Sequence, residues 1–277
     1  MMRHSLAHPA RNAFLRAMVP PAPDVLEAAL CIAWEDQGSD HRSMVRLMLD
    51  DMAEAISTHI ESAETLLDHI GAVSAFFFDE LGFHGNESNY NAVANSYLDQ
   101  VLLNRTGLPI TLSLLYIAFA RRCGLAFHGV ALPGHFMVQF RPRNADPIII
   151  DPFRSGKRWS MSEVAAYLHR NGQHTNVQEW LVPPTPEQII VRVLRNLKGS
   201  LVMHGNYRGA ANAIERILVL EPSSAQDVRD YGLILSRLNM PAQSIAYLER
   251  YAHLAPAAAD LQSIRHHAKT MLGTVEN

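Results

Sequence analysis

The stretch NSYLDQVLLNRTGLPITLSLLYIAFARRCGLAFHGVALPGHFMVQFRPRNADPIIIDPF, residues 95–153, decides the fold of this chain. A long apolar helix is predicted to begin at Pro109, a favoured first helical residue, and to end before Gly124. Strand-like apolar runs follow, with His135 near the start of one and Asp151 at the end of the next. If these two strands pair, the histidine and the aspartate can meet, as a base and its orienting carboxylate do.

The composition is that of an ordinary globular protein. Of the 277 residues, 48% are hydrophobic and 18% are charged, and the formal net charge is −3. That charge provides no basic surface for nucleic acid or for an anionic membrane. The longest apolar run, from Ile110 to Ala120, is shorter than the roughly 20 residues that a spanning helix needs. We therefore expect neither nucleic acid nor a membrane among the partners.

Cysteine and histidine usage gives further expectations. The chain has two cysteines, Cys31 and Cys123, which cannot make a disulfide framework and point to a reducing, cytoplasmic location. Its fourteen histidines are dispersed, without an HExxH or CxxC pattern, so no metal site is predicted. Nothing in the sequence indicates a cofactor.

The N-terminal residues 1–23 carry three arginines and no acidic residue, and they lack the continuous apolar core of a secretory signal. We predict a flexible arm ending at Val19-Pro20-Pro21, with an Arg-rich amphipathic targeting segment as the alternative. Residues 24–94 are predicted to be helical. Asp24 and Glu27 form a capping-box pattern there, and apolar residues recur every three to four positions.

Apolar periodicity and turn residues predict the remaining elements of the first two thirds of the chain. Before the polar loop 83–90 we expect three helices, beginning at Asp24, spanning Arg42 to Ile60, and spanning Ala63 to about Leu81. After the central helix we expect three strands and one more helix: Phe127 to Leu132, His135 to Phe140, Pro147 to Ile150, and Ser160 to Arg170.

Pro183-Pro184-Thr185-Pro186 is the clearest linker, and the composition after it is helical. Two copies of one motif follow at an offset of 34 residues, the period of tetratricopeptide repeats. The matching pairs are Glu215/Glu249, Arg216/Arg250, Leu220/Leu254 and Pro222/Pro256. Because such repeats stack helical hairpins into a binding surface, we predict that residues 187–277 are all-α and contact protein partners.

The central stretch resembles the transglutaminase-like core, a relative of the papain-type cysteine hydrolases. A helix is followed by G-L-x(3)-G-V-x-x-P-G-H-F and then by I-I-D-P-F. The resemblance implies an α+β fold in which a mainly helical part, 24–94, precedes a core, 95–182, with a small antiparallel sheet. In active members a cysteine opens the central helix, where the helix dipole lowers the pKa of its thiol, and His and Asp follow on adjacent strands.

The resemblance assigns His135 and Asp151 to the family His and Asp, but it assigns no residue to the cysteine. Counting back about 15 residues from Gly124 reaches Pro109. Cys123 stands at the other end of the helix, where the dipole disfavours a thiolate, and Cys31 lies on a predicted apolar helix face.

A more specific resemblance is to the bacterial SirB-type family, in which tetratricopeptide repeats follow a transglutaminase-like core. The resemblance covers about residues 24–270. Members likewise have Gly-x-Pro at the helix start, so the missing thiol is a feature of the family. The blocks that carry the resemblance are GFHGNxxxY, NSYLxxVLxxRTGLPITLSLLY, LPGHF, DPF, RVLRNLK, RDYGL and ERY.

Two interpretations of the site stay open. The His135–Asp151 pair is either a residual base in a ligand-binding cleft or a structural pair, and Asp151 is also placed to cap the turn at Pro152. Arg105 either lines the cleft, pairs with Asp99 or caps a loop. The residues expected to line the cleft are Asn95, Tyr97, Asn104, Arg105, Thr111, Gly134 and Phe136.

The sequence supports two hypotheses about function. The first is a non-catalytic binding or scaffold protein, with a possible regulatory role, that meets its partners through residues 187–277. The alternative is an amidase, peptidase or acyl transferase in which His135 and Asp151 activate a hydroxyl of Thr111 or Ser113.

Overall fold

The computed structural model describes residues 8–143, 145–174 and 176–275, which fall into two units, Met1–Ile189 and Ile190–Asn277. The first unit combines helices with a small antiparallel sheet, and the described elements of the second are helices. The predicted α+β class is confirmed. The division between the units falls inside a helix, Pro186–Met203, that begins at the last proline of the predicted linker.

Among the described residues, five α-helices precede the central stretch, and three of them begin at a side-chain cap, provided by His8, Asp24 and Thr65. The Asp24 side chain accepts a hydrogen bond from the Glu27 amide, so the predicted N-cap is present. The helix predicted from Arg42 to Ile60 is two helices that meet at Ile56. The five are α1 Pro9–Ala17, α2 Val25–Gln37, α3 Arg42–Ala55, α4 Ser57–Glu61 and α5 Leu66–Ala75.

The prediction of a flexible arm over residues 1–23 is wrong for the part that forms α1, while residues 1–7 lie outside the described residues. Helix α1 buries Ala10 and Phe14 completely, and Arg11 makes a two-pronged ion pair with Glu35 of α2 at 2.8 Å. A face of small and aromatic residues on a short amphipathic helix gains enough by burial to order the segment.

Helix α5 continues into a π-helical turn, Phe76–Glu80, which widens the backbone spiral. Phe77 and Phe78 of this turn are buried against Tyr116, which also shares a 2.8 Å hydrogen bond with Ser74. The FFF run is therefore core, and its rings pack on the central helix.

The central stretch forms two helices: α6, Leu98–Asn104, and the largely buried α7, Pro109–Arg122. The predicted start of α7 at Pro109 is confirmed. Short strands β1, His84–Gly85, and β2, Thr106–Gly107, pair in parallel just before it. The loop 83–90 is thereby fastened beside the first turn of α7.

The main sheet has four antiparallel strands in the order β3-β4-β5-β6. One face carries an apolar cluster that packs on α8, Met161–Arg170, and α9, Val177–Trp180. Strand β6 was not predicted, because its charged Lys157-Arg158 pair hides the strand pattern. The strands are β3 His128–Leu132, β4 His135–Phe140, β5 Ile148–Asp151 and β6 Lys157–Trp159.

The second unit consists of helical hairpins. Gly232 lets two helices approach closely, since a Cβ at this position would lie 2.6 Å from Leu248. The helices are α10 Pro186–Met203, α11 Tyr207–Leu220, α12 Ala225–Arg237, α13 Pro241–Leu254 and α14 Leu261–Val275. The helices of the described part include none that is both long and apolar enough to cross a bilayer.

Candidate functional site

The predicted contact between His135 and Asp151 is present. His135 opens β4 and Asp151 closes β5, and the ladder pairs Val138 with Ile150. Continued by one residue, this register places Asp151 opposite Met137, two residues from His135 on the same face of the sheet. His135 Nε2 lies 2.8 Å from Asp151 Oδ2.

The Asp151 carboxylate also organises the turn that follows it. Its Oδ1 accepts hydrogen bonds from the amides of Phe153, at 3.1 Å, and Arg154, at 3.4 Å, and so caps the 3-10 turn Pro152–Arg154. Asp151 is fully buried. The same carboxylate therefore contacts the histidine of the neighbouring strand and caps the turn.

Three aromatic rings surround His135, whose residue surface is 8% exposed. The ring centroids of Phe153, Trp159 and Tyr167 lie 6.2, 6.3 and 6.1 Å from the imidazole. Tyr167 donates a 2.8 Å hydrogen bond to the carbonyl of Pro133, just before the turn into β4. The histidine is therefore mostly buried, between three aromatic rings and the Asp151 carboxylate.

The hydroxyl groups at the start of α7 are used to build the helix. Thr111 Oγ1 donates to the carbonyl of Asn95 at 2.8 Å and accepts from the amide of Leu108 at 3.0 Å. Ser113 Oγ donates to the carbonyl of Phe136 at 3.4 Å. Thr111 and Ser113 are both fully buried. These bonds tie the first turn of the helix to a preceding turn and to β4.

Asn95 and Tyr97, two further residues expected to line the cleft, form hydrogen bonds within the protein. The Asn95 side chain donates to the carbonyls of Asn89, at 2.8 Å, and Tyr90, at 3.0 Å, and so fixes the loop before it. Tyr97 donates from its hydroxyl to Asp36 at 3.2 Å.

Other candidates lie at chain reversals or in the core. Arg105 has a positive φ of 58° and donates to the carbonyl of Leu81, so it fastens a loop. Asp99, its alternative partner, instead accepts from Gln37 and contacts His41. Asn104 is exposed at the end of α6, Gly134 turns the chain between β3 and β4 with φ 68°, and Phe136 is buried.

A cleft close to the pair is lined by residues other than those predicted. It has a volume of about 640 Å³ and is lined by the loop after β1 and by the turn after Asp151. Phe153 connects the two places, because its ring both lines the cleft and contacts His135. In the sequence, the motif GFHGNxxxY is the pattern that could have indicated these lining residues. The lining residues are His84, Gly85, Asn86, Glu87, Ser88, Thr106, Phe153, Arg154 and Ser155.

Neither thiol is suited to nucleophilic chemistry. Burial raises the pKa of Cys31 to about 11 and that of Cys123 to about 11, and both are free thiols in the core. Cys123 follows the last residue of α7, at the far end from Pro109. Within the described residues, no cluster of three or more His, Cys, Asp or Glu side chains is arranged to hold a metal ion.

The geometry just described agrees with the comparison of the sequence with known families. A model described as the transglutaminase-like superfamily matches residues 43–195. The chain belongs to the transglutaminase-like superfamily. A tetratricopeptide repeat model matches residues 197–269 of the same chain, which confirms the predicted repeats.

Relatives of this transglutaminase-like chain include bacterial and animal proteins. A UPF0162 protein of Xylella fastidiosa (strain Temecula1 / ATCC 700964) is 30% identical over 248 residues, 88% of each chain. A UPF0162 protein of Vibrio cholerae is 25% identical over 218 residues, 78% of each chain. Human F-box only protein 21 is 32% identical over 157 residues, 54% of this chain and 23% of that protein. No solved structure matches.

Proposed function

We propose that this transglutaminase-like protein is non-catalytic and acts as a binding or scaffold protein through its helical repeats. The observation that carries the proposal is the start of α7. The position of the family cysteine falls at Pro109, and the nearby Thr111 hydroxyl is fully buried and bonded to backbone. A nucleophile must be able to reach a substrate carbonyl, and this helix start offers no such group.

The retained His135–Asp151 pair has an adequate structural role in this proposal. It joins the start of β4 to the end of β5, and the same carboxylate caps the next turn. A buried polar network of this kind is expensive to disrupt, because each lost partner leaves a desolvated group unpaired. The pair can therefore persist in a protein that performs no chemistry.

The partner-binding role is assigned to residues 187–277 in a cytoplasmic setting. Stacked helical hairpins present an extended surface, which is the usual basis of partner binding by repeat proteins. The match to a tetratricopeptide model supports this assignment. The surface of these repeats carries charges of both signs, which suits recognition of a protein more than of nucleic acid.

Two experiments test the proposal. Full-length protein and a His135→Ala variant are treated with a fluorophosphonate and with iodoacetamide, and modified residues are mapped by mass spectrometry. We expect no labelling that depends on His135, and modification of Thr111 or Ser113 that disappears in His135→Ala would refute the non-catalytic assignment. Affinity capture is then compared between the full chain and a chain lacking residues 187–277. Partners retained by the shortened chain would show that the repeats are not the main surface.

The alternative proposal is an amidase, peptidase or acyl transferase. The observation in its favour is that the buried His135–Asp151 pair is intact beside a cleft of about 640 Å³. Its nucleophile would be the Ser113 or Thr111 hydroxyl, which would have to give up its present hydrogen bond to a carbonyl. Hydrolysis of p-nitrophenyl acetate that is lost in both His135→Ala and Ser113→Ala, with folding intact, would favour this alternative.

A further inference from the structure

The last two described helices enclose an apolar groove of about 380 Å³. Its floor comes from Ile245 and Leu248 of α13 and from Ile264 of α14, all nine-tenths buried or more. Charged and polar side chains form its two rims. Glu249 and His253 line the α13 side, and Arg265 and Lys269 line the α14 side.

The internal repeat supplies a template for what such a groove holds. A shift of 34 residues carries α11 onto α13 and α12 onto α14, so the face formed by α11 and α12 corresponds to this groove. In that earlier copy the face is covered by α13. Tyr247 of α13 packs on Tyr231 with ring centroids 4.6 Å apart, and Ser244 donates to the carbonyl of Gly232 at 2.6 Å.

The second copy of the face has no such cover among the described residues. Tyr231, which receives the covering helix in the first copy, also donates a 2.7 Å hydrogen bond to Glu215 of α11. Its counterpart one period later is Arg265, and the counterpart of Glu215 is Glu249. The apolar face is therefore repeated, while the residues along its rim differ between the two copies.

The residues that differ on the rim indicate which kind of helix would bind in the groove. Tyr231 and the buried Leu235 become Arg265 and Lys269, two exposed cations one turn apart on α14. Neither of these cations forms an ion pair within the described part of the chain. A helix that covers the floor would therefore gain by placing carboxylates opposite α14, and by keeping them away from Glu249 on the other rim.

We propose that the groove between α13 and α14 docks an amphipathic helix of a partner protein, which presents an apolar stripe to the floor and acidic residues to Arg265 and Lys269. The proposal rests on the proposed function of the repeats and names the surface and the partner chemistry within them. It uses the helix-in-groove mode, in which apolar anchors three to four residues apart supply affinity and flanking charges set orientation.

The test uses the full-length protein and a displayed library of helical peptides. Each peptide carries a fixed stripe of Leu and Ala, and its flanking positions vary among Glu, Gln and Lys. We expect selection to enrich Glu on one flank. The selected peptides should bind the Arg265→Glu, Lys269→Glu double variant at least tenfold more weakly, and should keep their affinity for the matched control Arg208→Glu, Arg237→Glu. Changing the enriched Glu residues to Lys should restore binding to the first variant.

Amide hydrogen exchange with a selected peptide locates the contact, and protection of α13 and α14 is expected. Enrichment of Lys, or binding that ignores the Arg265→Glu, Lys269→Glu change, overturns the proposal. Protection of other repeat helices overturns it while leaving the repeats as a partner surface, whereas binding wholly outside Ile190–Asn277 counts against the proposed function as well. A dimer that dissociates in the double variant would identify a second copy as the occupant and would also overturn it.

Discussion

At the residue scale, the single side chain of Asp151 joins the neighbouring strand to the turn that follows its own strand. Its two oxygens serve an imidazole on the neighbouring strand and two amides of the following turn, and no part of the residue is exposed. Removing the carboxylate leaves these donors without a partner in a region that water reaches poorly. The loss in free energy of unfolding then comes more from leaving these donors unpaired than from losing their attraction to the carboxylate.

We predict that Asp151→Ala lowers the free energy of unfolding by about 3 kcal/mol, because it breaks a buried, charge-assisted network. Urea unfolding followed by circular dichroism measures the change. The matched control is Asp146→Ala at an exposed position, where a change within about 0.5 kcal/mol is expected. Equal losses in the two variants would mean that the Asp151 network adds nothing to stability.

A second prediction at this scale concerns Gly85, which lies under the ring of Phe153. A Cβ there would come within 2.5 Å of that ring, so Gly85→Ala must displace the side chain that joins the cleft to His135. We expect a loss of about 1–3 kcal/mol in unfolding free energy. Gly71→Ala is the control, since nothing lies within 4 Å of its Cβ and alanine favours its helix. A neutral Gly85→Ala would contradict the close packing.

The sequence predicts the His135–Asp151 contact because strand pairing alone brings the two positions together. It does not predict the roles of Asn95 and Thr111, since each bonds to backbone carbonyls whose positions depend on how separate segments pack. For Arg105 it leaves loop capping open as one of three alternatives, and the bond to the Leu81 carbonyl agrees with that alternative. The cleft of about 640 Å³ also depends on such packing. Its walls are a loop and a turn that meet only after β1 and β2 have paired.

At the scale of elements, α1 is the clearest difference between expectation and structure. Its sequence, PARNAFLRA, begins with a proline at the first helical position and places Ala10, Ala13 and Phe14 on one buried side. The pattern spans barely two turns, too few for periodicity to stand out. The stability of such a short helix comes from tertiary packing, which local sequence does not report.

We predict that Phe14→Ala destabilises the protein by about 3–5 kcal/mol, because the ring is fully buried and its removal leaves a cavity. Thermal and urea unfolding both report the change. Asn12→Ala on the exposed side of the same helix is the control, and we expect it to be close to neutral. A small effect of Phe14→Ala would indicate that α1 is dispensable.

The ion cluster around Asp227 makes α12 sensitive to acid. Burial by itself would raise the pKa of the Asp227 carboxyl, but hydrogen bonds from Arg195 and Lys198 outweigh burial and hold it below its usual value. A depressed pKa in the folded state stabilises the protein fully above the unfolded value of about 3.9, and this contribution is lost as pH falls through the folded pKa.

We therefore predict that Asp227→Asn lowers stability at pH 7 and flattens the fall in stability below about pH 4. The measurement is the urea midpoint between pH 7 and pH 2, followed by hydrogen exchange of α12 amides. Glu249→Gln, an exposed change in the same unit, should leave the pH profile unaltered. A variant as acid-sensitive as the parent would show that other carboxylates set the transition.

At the scale of the whole molecule, each unit has an apolar cluster of its own. A cluster centred on Met137, Ile149 and Trp159 lies in the first unit, and another built on Val228 and Leu248 lies in the second. Because each unit buries apolar side chains of its own, we expect a destabilising substitution in one unit to speed amide hydrogen exchange in that unit alone.

We predict that Phe14→Ala accelerates amide hydrogen exchange in α2 and α7 while the amides of α12 and α13 keep their rates. Mass spectrometry of peptic fragments resolves the two regions in the intact chain. The exposed change Asn12→Ala supplies the baseline. Faster exchange throughout Ile190–Asn277 would mean that the units unfold as one cooperative block.

The two buried cysteines have a practical consequence for spectroscopy. With the pKa of each thiol near 11, only about one in 10,000 is ionised at pH 7, so neither competes well for a maleimide dye. A single Ser88→Cys change, at an exposed position on the cleft wall, then creates one fast site for a fluorophore. The Ser88→Cys variant can thus be labelled at a single site without first replacing Cys31 or Cys123.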